Sequence, residues 1–314
     1  MAFLTVSGIT KYENGNLIIN DLSFAQKQFQ NIAIAGETGS GKTTVLKLIA
    51  GLMQPDKGEI KFEGNRVKGP LEKLIPGHPG IVYLSQYFEL RNNYYVHEIL
   101  DYANQLSETD ANEIFSICRI QQLLKRRTDQ LSGGERQRIS LAKLLIASPK
   151  LLLLDEPFSN LDIIHQNIIK QVIKDVGEKL KISCIMVSHD AEDMLAWADT
   201  IIILKEGMIV QQDKPEQIYH QPVNEYCAAL FGEYNLVTTN NNRERFLRPE
   251  DIFITTESEG TMKGIVKAIQ FHGSYSIAEI ETDKQLLKVL VHDKTIKPGN
   301  SVYLALSAAS DWYL

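Results

Sequence analysis

The chain has 314 residues, of which 44% are hydrophobic and 23% are charged. This length suggests about two domains, and the composition is typical of a globular protein. The formal net charge of −6 gives no reason to expect a nucleic-acid partner, and we expect none. No stretch approaches the roughly 18 apolar residues that a transmembrane helix needs. The start of the chain lacks the charged and apolar regions of a signal peptide, so we expect a cytoplasmic protein.

The cysteines agree with that expectation. Cys118, Cys184 and Cys227 show no spacing typical of a metal site or a disulfide framework. We expect each of them to be a small buried or half-buried thiol, as is usual in a reducing compartment.

The N-terminal region predicts a strand pair. Residues 3–8 and 17–24 alternate apolar and polar positions around a turn at 13–16, a pattern typical of antiparallel strands. Tyr12 lies at the start of that turn. Its ring has two open interpretations: it packs on the sheet, or it offers a flat surface on which a purine stacks. Spacing alone favours packing.

A phosphate-binding motif follows. Residues 36–43 match the pattern G-x-x-x-x-G-K-[ST] without a gap, between a predicted strand at 32–35 and a predicted helix at 44–50. Glycines allow the backbone N–H groups to turn inward, and a helix N-terminus favours an anion. Lys42 supplies a charge for the β- and γ-phosphates, and Thr43 a hydroxyl for Mg²⁺. The residues predicted to bind a nucleoside triphosphate are Gly36, Glu37, Thr38, Gly39, Ser40, Gly41, Lys42, Thr43 and Thr44.

A second anion site is predicted further along the chain. Residues 58–63 and 80–85 predict strands, the latter ending at Gln86, and the apolar spacing from 94 to about 125 is helical. The sequence LSGGE at 131–135 then leads into a predicted helix at 136–146. A serine hydroxyl and bare N–H groups at a helix start can bind an anion. One triphosphate does not need two such sites, so either this one is idle or it serves a nucleotide held by another molecule.

Polar groups follow two predicted buried strands. The leucine run at 151–154 leads into Asp155 and Glu156, and the strand at 182–187 leads into Ser188-His189-Asp190. Ligands of open parallel sheets bind at the carboxyl ends of the strands. We therefore expect Asp155 to hold the Mg²⁺ shell and Glu156 to orient or deprotonate a water molecule. For His189 a structural and a catalytic role are equally open.

The end of the chain differs in kind. After a predicted helix at about 163–179 and a strand pair at 201–204 and 208–212, helical segments continue to about 231. Short alternating runs then occur at 264–270, 276–280, 286–291 and 301–306, a pattern that predicts a small antiparallel barrel or sandwich. We place the domain boundary near Gly232, which gives domains 1–231 and 232–314.

These motifs resemble those of the ATPase subunits of ATP-binding cassette (ABC) transporters. The matches are 36–43 to Walker A, Gln86 to the Q-loop, 131–135 to the LSGGQ/E signature, 151–156 to Walker B, 159–162 to the D-loop and His189 to the switch histidine. The resemblance implies an α/β P-loop NTPase fold with a mixed sheet core, an antiparallel β-subdomain and a helical signature subdomain at about 87–147. It also places Tyr12 where the family has its adenine-stacking aromatic residue.

The resemblance implies a site shared between two chains. In this family two cassettes pair head to tail, so the signature and D-loop of one copy contact the ATP bound at Lys42 of the other. The residues that would contact the partner's ATP are Ser132, Gly133, Gly134, Glu135 and Asp162. The resemblance assigns Mg²⁺ to Thr43, Gln86 and Asp155. It assigns roles in hydrolysis of ATP to ADP and phosphate to Glu156, His189, Lys42 and Gln86.

The resemblance also implies an assembly. We expect a homodimer bound to two transmembrane permease subunits at the cytoplasmic face of the membrane, with an external substrate-binding protein. Phe88, Glu89 and Leu90, which follow the Q-loop, fall on the usual docking surface for the membrane subunits.

The tail indicates the direction of transport. The sequence LRPEDI at 247–252 resembles the opening of the OB-like regulatory β-domain in importer ATPases for sugars, polyamines, iron and oxyanions. The run from 234 to 246 is shorter than in those subunits, so we expect a reduced β-domain. Its role is regulation, dimerisation or that of a plain spacer. The alternatives are a soluble ABC ATPase acting on DNA or ribosomes and an exporter ATPase. The single cassette and the lack of a heptad run between Gln86 and Leu131 count against the first, and the β-tail against the second.

Overall fold

The structure, a computed structural model, describes residues 2–86, 90–239, 243–307 and 311–314. The chain divides into two units, Met1–Pro215 and Glu216–Leu314. None of the helices in these ranges is both long and apolar enough to cross a bilayer.

The first unit begins with strands and then alternates strands with helices. Its strands are β1 (Leu4–Glu13), β2 (Asn16–Gln26), β3 (Asn31–Ala35), β4 (Lys57–Phe62), β5 (Asn65–Arg66), β6 (Ile81–Leu84), β7 (Leu151–Asp155), β8 (Ser183–Val187), β9 (Thr200–Lys205) and β10 (Met208–Asp213). Its helices are α1 (Lys42–Ile49), α2 (Val96–Ala103), α3 (Glu108–Ile117), α4 (Gly133–Leu145), α5 (Ile163–Leu180) and α6 (Ala191–Trp197). Single 3₁₀ turns lie at Gln121–Leu123 and Thr128–Gln130.

The main sheet has the order β10-β9-β3-β8-β7-β6 among the described strands. β6, β7, β8, β3 and β9 are parallel, and β10 is antiparallel to β9. Every residue of β7 and β8 is buried, which explains their continuous apolar sequences. The carboxyl ends of β3, β7 and β8 lie at one edge, where the phosphate loop, Asp155-Glu156 and Ser188-His189 begin. The predicted mixed sheet is confirmed.

A second, antiparallel sheet has the order β2-β1-β4-β5. The predicted pair at 3–8 and 17–24 is thus confirmed, with β1 and β2 joined by the turn after Glu13. The predicted helix from 94 to about 125 is instead divided. Asn104 has an extended backbone after α2, and Ser107 caps α3 by accepting a hydrogen bond from the Asp110 backbone N–H at 3.2 Å.

The second unit is mainly antiparallel β-structure. It contains α8 (Glu225–Ala229), β11 (Asn235–Thr238), β12 (Glu244–Leu247), a 3₁₀ turn (Pro249–Asp251), β13 (Ile252–Thr255), β14 (Met262–Phe271), β15 (Ser276–Thr282), β16 (Leu286–Val291), β17 (Ser301–Leu306) and β18 (Trp312–Tyr313), and α7 (Pro215–His220) begins at the division. One sheet has the order β13-β17-β14-β15-β16 and another β11-β12-β18. Alternate side chains of the larger sheet, such as Val266, Ile280 and Leu304, form its core. The predicted small all-β domain is confirmed.

The limit between the units falls after the first residue of α7, whereas the boundary predicted from the sequence falls after both α7 and α8. Buried Arg248 accounts for the difference. Its guanidinium donates hydrogen bonds to the backbone carbonyls of Tyr219 in α7 and of Ala228 in α8, at 3.0 and 3.1 Å. These bonds group both helices with the β-structure. The functional domains 1–231 and 232–314 remain a prediction.

The three cysteines are free and buried, as predicted. Burial raises the pKa of the Cys118 and Cys184 thiols to about 12. Neither thiol is therefore ionised at neutral pH.

Candidate active site

The phosphate loop joins β3 to α1 through glycines in left-handed conformations. Gly36, Gly39 and Gly41 have φ values of 147°, 86° and 98°. A Cβ atom added at Gly41 would lie 2.6 Å from the Ile19 side chain, and one at Gly36 would overlap the Leu204 carbonyl oxygen. Backbone conformation and lack of space therefore both require glycine at these two ends of the loop. This geometry fits a loop whose N–H groups surround an anion.

Lys42 is folded back onto this loop. Its ammonium group donates hydrogen bonds to the carbonyl oxygens of Gly36 at 2.7 Å and Glu37 at 2.8 Å. Burial lowers the pKa of Lys42, and the nearby carboxylates of Glu156 and Asp155 oppose that shift. A lysine ammonium has three N–H donors, so a third is left for a phosphate oxygen.

Asp155 ends β7 and is only 3% exposed. One of its carboxylate oxygens accepts a hydrogen bond from the Thr43 hydroxyl at 3.0 Å, and the other accepts one from the Tyr83 hydroxyl at 2.7 Å. Sequence reasoning missed Tyr83, although a tyrosine inside the short apolar strand β6 was a usable signal. Burial first, and then the bond to Asp155, raises the pKa of Tyr83, so the phenol remains a donor.

Glu156, Gln86 and His189 meet at the ends of three neighbouring strands. The Gln86 amide donates a hydrogen bond to the Glu156 carboxylate at 3.3 Å, and the His189 ring nitrogen Nδ1 lies 3.6 Å from the same oxygen. The backbone of Glu156 has φ 48°, an uncommon value for a non-glycine residue, and its N–H donates to the Val187 carbonyl. A cleft of about 340 Å³ opens beside these side chains. The His189 side chain is 70% exposed and so can reach a bound ligand.

The predicted Mg²⁺ ligands fit that ion. Thr43, Asp155 and Gln86 offer a hydroxyl, a carboxylate and an amide oxygen, the oxygen ligands that Mg²⁺ prefers. Thr43 and Asp155 already lie in contact, and Gln86 is bonded to the adjacent Glu156. In the described ranges, no group of three or more His, Cys, Asp or Glu side chains is arranged to hold a metal ion. A site completed by phosphate oxygens and water does not need such a group.

The signature segment forms the start of α4. The Ser132 hydroxyl accepts a hydrogen bond from the Glu135 backbone N–H at 3.3 Å, and the Glu135 carboxylate accepts one from the Ser132 N–H at 2.9 Å. This reciprocal pair is a capping box, which fixes the start of the helix. Arg126 also bonds to Glu135, at 3.3 Å. Ser132 and Gly133 are exposed, so their polar groups are open to a ligand.

Asp162 lies close to the signature segment through its neighbour His165. It caps α5 by accepting a hydrogen bond from the His165 backbone N–H at 3.0 Å, and its other oxygen lies 2.6 Å from the His165 ring. These two bonds, the backbone one first, lower the pKa of Asp162. A Cβ atom added at Gly134 would lie 2.6 Å from that histidine ring. His165, which sequence reasoning missed, therefore connects the signature to the D-loop.

With Tyr83 and His165 added, most of the predicted site residues fall into two groups. We call Lys42, Thr43, Tyr83, Gln86, Asp155, Glu156 and His189 the hydrolysis cluster. Its members either contact one of the two adjacent acids, Asp155 and Glu156, or, like Lys42, lie close enough to feel their charge. We call Ser132, Gly133, Gly134, Glu135, Asp162 and His165 the signature cluster. The bonds described for the signature cluster run within it and to Arg126, and do not lead to the phosphate loop.

Two further predictions concern single residues. Tyr12 is 46% exposed, so its ring is not packed into the core and is open to stacking.

Of the residues predicted to contact the membrane subunits, Phe88 and Glu89 lie outside the described residues. Leu90 is 9% exposed and packs in a hydrophobic cluster, so its assignment to a docking surface is corrected.

Comparison with known proteins identifies the family. A family model described as "ABC transporter" matches residues 19–159, and one described as "TOBE domain" matches residues 246–314. An Fe(3+) ions import ATP-binding protein of Photobacterium profundum is 30% identical over 320 residues, which cover 91% of this chain and 90% of that protein. The chain belongs to the ABC transporter ATPases. A spermidine/putrescine import ATP-binding protein of Mycoplasma mycoides subsp. mycoides is also 30% identical, over 90% of this chain and 89% of that protein.

Solved structures of other ABC ATPases share the fold. An ATP-binding cassette of an ABC transporter in its ADP conformation has a TM-score of 0.62 and 21% identity, covering 73% of this chain and 99% of that one. A dimeric cassette in a post-hydrolysis state, bound to ADP and phosphate, has a TM-score of 0.58 and 25% identity, covering 68% of this chain and 98% of that one. The predicted family, its ATP-hydrolysing activity, the cassette fold and the importer-type C-terminal domain are confirmed. The roles of individual site residues remain predictions.

Proposed function

We propose that this ABC ATPase drives substrate import through partner permease subunits, and that ATP closes two copies of the chain head to tail. The observation that carries this proposal is the division into two clusters. The hydrolysis cluster offers a loop, a lysine and acids, whereas the signature cluster offers a serine hydroxyl and free helix N–H groups. Each of these two sets of groups can bind phosphate oxygens, so the two clusters can bind one triphosphate from opposite sides. A twofold pairing brings the signature cluster of each copy to the phosphate loop of the other.

The chemistry follows phosphoryl-transfer logic, in which positioning and charge neutralisation dominate. Lys42 and the loop N–H groups bind the β- and γ-phosphates, and Tyr12 stacks on the adenine. Thr43, Asp155 and Gln86 would hold Mg²⁺, which when bound neutralises phosphate charge. Tyr83 fixes the orientation of Asp155.

Glu156 is the general base in this proposal. It accepts a proton from a water molecule as the water oxygen bonds to the γ-phosphorus. The bond from that phosphorus to the oxygen shared with the β-phosphate breaks, which gives ADP and phosphate. Gln86 and His189 both lie against the Glu156 carboxylate, so they hold it in place, and exposed His189 is free to contact the γ-phosphate.

The names of relatives support import and suggest substrate classes. The two relatives described above are named for import of Fe(3+) ions and of spermidine and putrescine. We infer a small cationic substrate of that kind, recognised by the permease subunits and an external binding protein rather than by this chain. Attachment at the cytoplasmic face of the membrane then depends on the permease subunits. Membrane association in cells that lack those subunits would instead favour a different mode of attachment.

A change at Glu156 tests the ATPase assignment. We expect Glu156→Gln to lower ATP turnover by roughly 10²- to 10⁴-fold, the usual contribution of a general base, while ATP still binds. It also yields a dimer that persists in ATP, because closure no longer ends in hydrolysis. Phosphate release and sedimentation measure the two effects. Glu113→Gln, at an exposed position of α3, is the control and keeps the parent rate. Parent-rate hydrolysis by Glu156→Gln contradicts the assignment.

A further inference from the structure

A large groove lies on the first unit between α5, α6 and the start of β3. Its volume is about 1050 Å³, compared with about 340 Å³ for the catalytic cleft. Neither the phosphate loop nor the signature cluster lines it. No step of the ATPase mechanism uses this space.

Aromatic and apolar side chains make the groove suitable for a planar molecule. Phe29, just before β3, is 53% exposed, and half-buried Trp197 ends α6. Ile173 and Met186 lie fully buried behind them. Flat rings bind well to such aromatic surfaces by stacked or edge-to-face contact. Leaving Phe29 in water is unfavourable, so a ligand that covers it gains affinity.

Gly177 keeps the groove open. It lies inside α5, where glycine makes the helical state about fivefold less favourable than alanine does. Its φ is not in the left-handed region, and an added Cβ atom would meet only the Asn31 side-chain oxygen, at 3.9 Å. Neither the backbone nor the packing therefore requires glycine. The open space above this residue is what a larger side chain would remove.

Among the described residues that line the groove, three lysines balance three acids in number, but one of these lysines has no acid as its partner. Lys170 forms an ion pair with Asp193, and Asp199 accepts a hydrogen bond from the Asn31 N–H at 2.8 Å. Lys174 lies 3.9 Å from Glu178. Lys181, at the C-terminal end of α5 with a left-handed backbone, is the lysine of this described lining that lies outside both ion pairs.

We propose that this groove binds a planar aromatic molecule with a single negative charge, such as an aryl carboxylate or sulfonate. The ring lies against Phe29 and Trp197 above Gly177, and the anionic group pairs with Lys181.

The groove shares a wall with the catalytic cleft. Phe158 and Asp193 line both spaces, and Phe158 follows Glu156 by two residues. The Lys170 ammonium lies over the Phe158 ring, 5.5 Å from its centre. A bound ligand therefore presses on the segment that positions the catalytic glutamate. We expect it to change ATP turnover, a consequence that rests on the proposed function, whereas the binding itself does not.

Binding is tested with 1-anilinonaphthalene-8-sulfonate, an aromatic monoanion. Because the chain has two tryptophans, Trp312→Phe leaves Trp197 as the single reporter for energy transfer to the probe. We expect one saturable site that saturating ATP does not displace. Isothermal titration of the unaltered chain checks the stoichiometry. A probe that ATP displaces, or that shows no saturable site, overturns the proposal.

Three variants locate the site. Gly177→Leu fills the groove and weakens binding at least tenfold, and Lys181→Asn, which tolerates the left-handed backbone, weakens it about threefold to tenfold. Gly177→Ala raises the melting temperature yet weakens binding, a combination that a purely structural role does not give. Lys125→Asn, at an exposed position away from the groove, leaves affinity unchanged. Unchanged affinity in a Gly177→Leu protein with parent circular dichroism contradicts the assignment.

Turnover gives an independent readout. Saturating probe is expected to change the ATPase rate at least twofold in the parent chain and to have no effect in Gly177→Leu. If the probe binds but the rate is constant, the regulatory consequence is wrong and the binding site stands. If the probe does not bind while Glu156→Gln still abolishes turnover, the groove assignment fails and the proposed ATPase mechanism is unaffected.

Discussion

Tyr83 gives the carboxylate of Asp155 a fixed orientation. Asp155 is almost fully buried, and both of its oxygens accept hydroxyl hydrogen bonds, one from Thr43 and one from Tyr83. A hydrogen bond to a charged group contributes about 1.5–3 kcal/mol, more than a neutral one. When Mg²⁺ and ATP bind, Thr43 must redirect its hydroxyl, whereas Tyr83 can keep its bond. Tyr83 is therefore a positioning residue for the predicted metal site.

We expect Tyr83→Phe to raise the Mg²⁺ concentration needed for half-maximal ATPase activity by about tenfold, since one charged oxygen loses its donor. The ring itself is retained, so packing of β6 is unaffected. A Mg²⁺ titration of phosphate release measures the shift. Tyr102→Phe, at a strongly exposed position in α2, serves as the control. A Tyr83→Phe titration that overlays the parent curve would show that the hydroxyl has no role in the metal site.

At the scale of elements, the start of α4 combines a structural and a functional task. The signature resemblance assigns Glu135 to the ATP of a partner copy. In the structure its carboxylate already closes the capping box with Ser132 and bonds to Arg126. The exposed Ser132 and Gly133 remain the groups of this segment that are open to a ligand.

Two substitutions separate these tasks. Glu135→Gln preserves the capping box, because glutamine also accepts the Ser132 N–H, and we expect both stability and ATPase activity near the parent values. Glu135→Ala removes it and should cost ~0.3–1.5 kcal/mol of the free energy of unfolding, with a matching fall in ATP-driven dimerisation. Urea unfolding and sedimentation check the pair. A strong loss of ATP affinity in Glu135→Gln, with unchanged stability, would point to a direct role of the charge.

Arg248 holds the helical and β-elements of the second unit together. Its side chain is fully buried, donates hydrogen bonds to the carbonyls of Tyr219, Ala228, Gly232 and Glu233, and stacks on the Tyr219 ring. Burial lowers the pKa of Arg248, but an arginine remains charged at any physiological pH.

Arg248→Met keeps the volume and removes every one of these donors. We expect a loss of at least about 2 kcal/mol in the free energy of unfolding, because buried acceptors left unpaired cost about 1–3 kcal/mol each. In a Trp197→Phe background, Trp312 in the same unit is the single tryptophan, so its fluorescence during urea unfolding reports the loss. Lys267→Ala breaks an exposed ion pair with Glu281 and should cost less than about 1 kcal/mol. Equal effects of the two changes would refute the anchoring role.

Local patterns predicted most strands and every member of the hydrolysis cluster except Tyr83, for physical reasons. β7 and β8 are apolar along their whole length, and their polar ends lie at one edge because parallel strands share a direction. Tyr83 and His165 escaped prediction because their partners are distant in sequence or depend on how two helices pack. The break between α2 and α3 was missed because both helices carry the same apolar spacing, and only the Ser107 cap marks the second start.

At the scale of the whole molecule, the two clusters make a prediction about mixed dimers. If each ATP site combines one chain's Lys42 with the other chain's Ser132, Lys42→Ala and Ser132→Arg on different chains fall into one site and leave the other intact. Placed together on one chain and paired with a parent chain, they damage both sites. We expect about half of the parent ATPase activity in the first dimer and almost none in the second.

Dimers purified through two different affinity tags provide the material, and phosphate release provides the readout. A site formed within a single chain gives the reverse result: no activity when the changes are on different chains, and one working site when they share a chain. Homodimers of each single variant are the inactive controls in both schemes.

The bonds of Arg248 determine where this chain can be cut. A fragment that starts at Gly232 keeps the guanidinium but loses the carbonyls of Tyr219 and Ala228. The buried cation then lacks two of its hydrogen-bond acceptors, which is strongly destabilising. A fragment that starts at Glu216 keeps all four acceptors. Exchange of C-terminal domains between importer ATPases should therefore take the two short helices along with the β-strands that follow them.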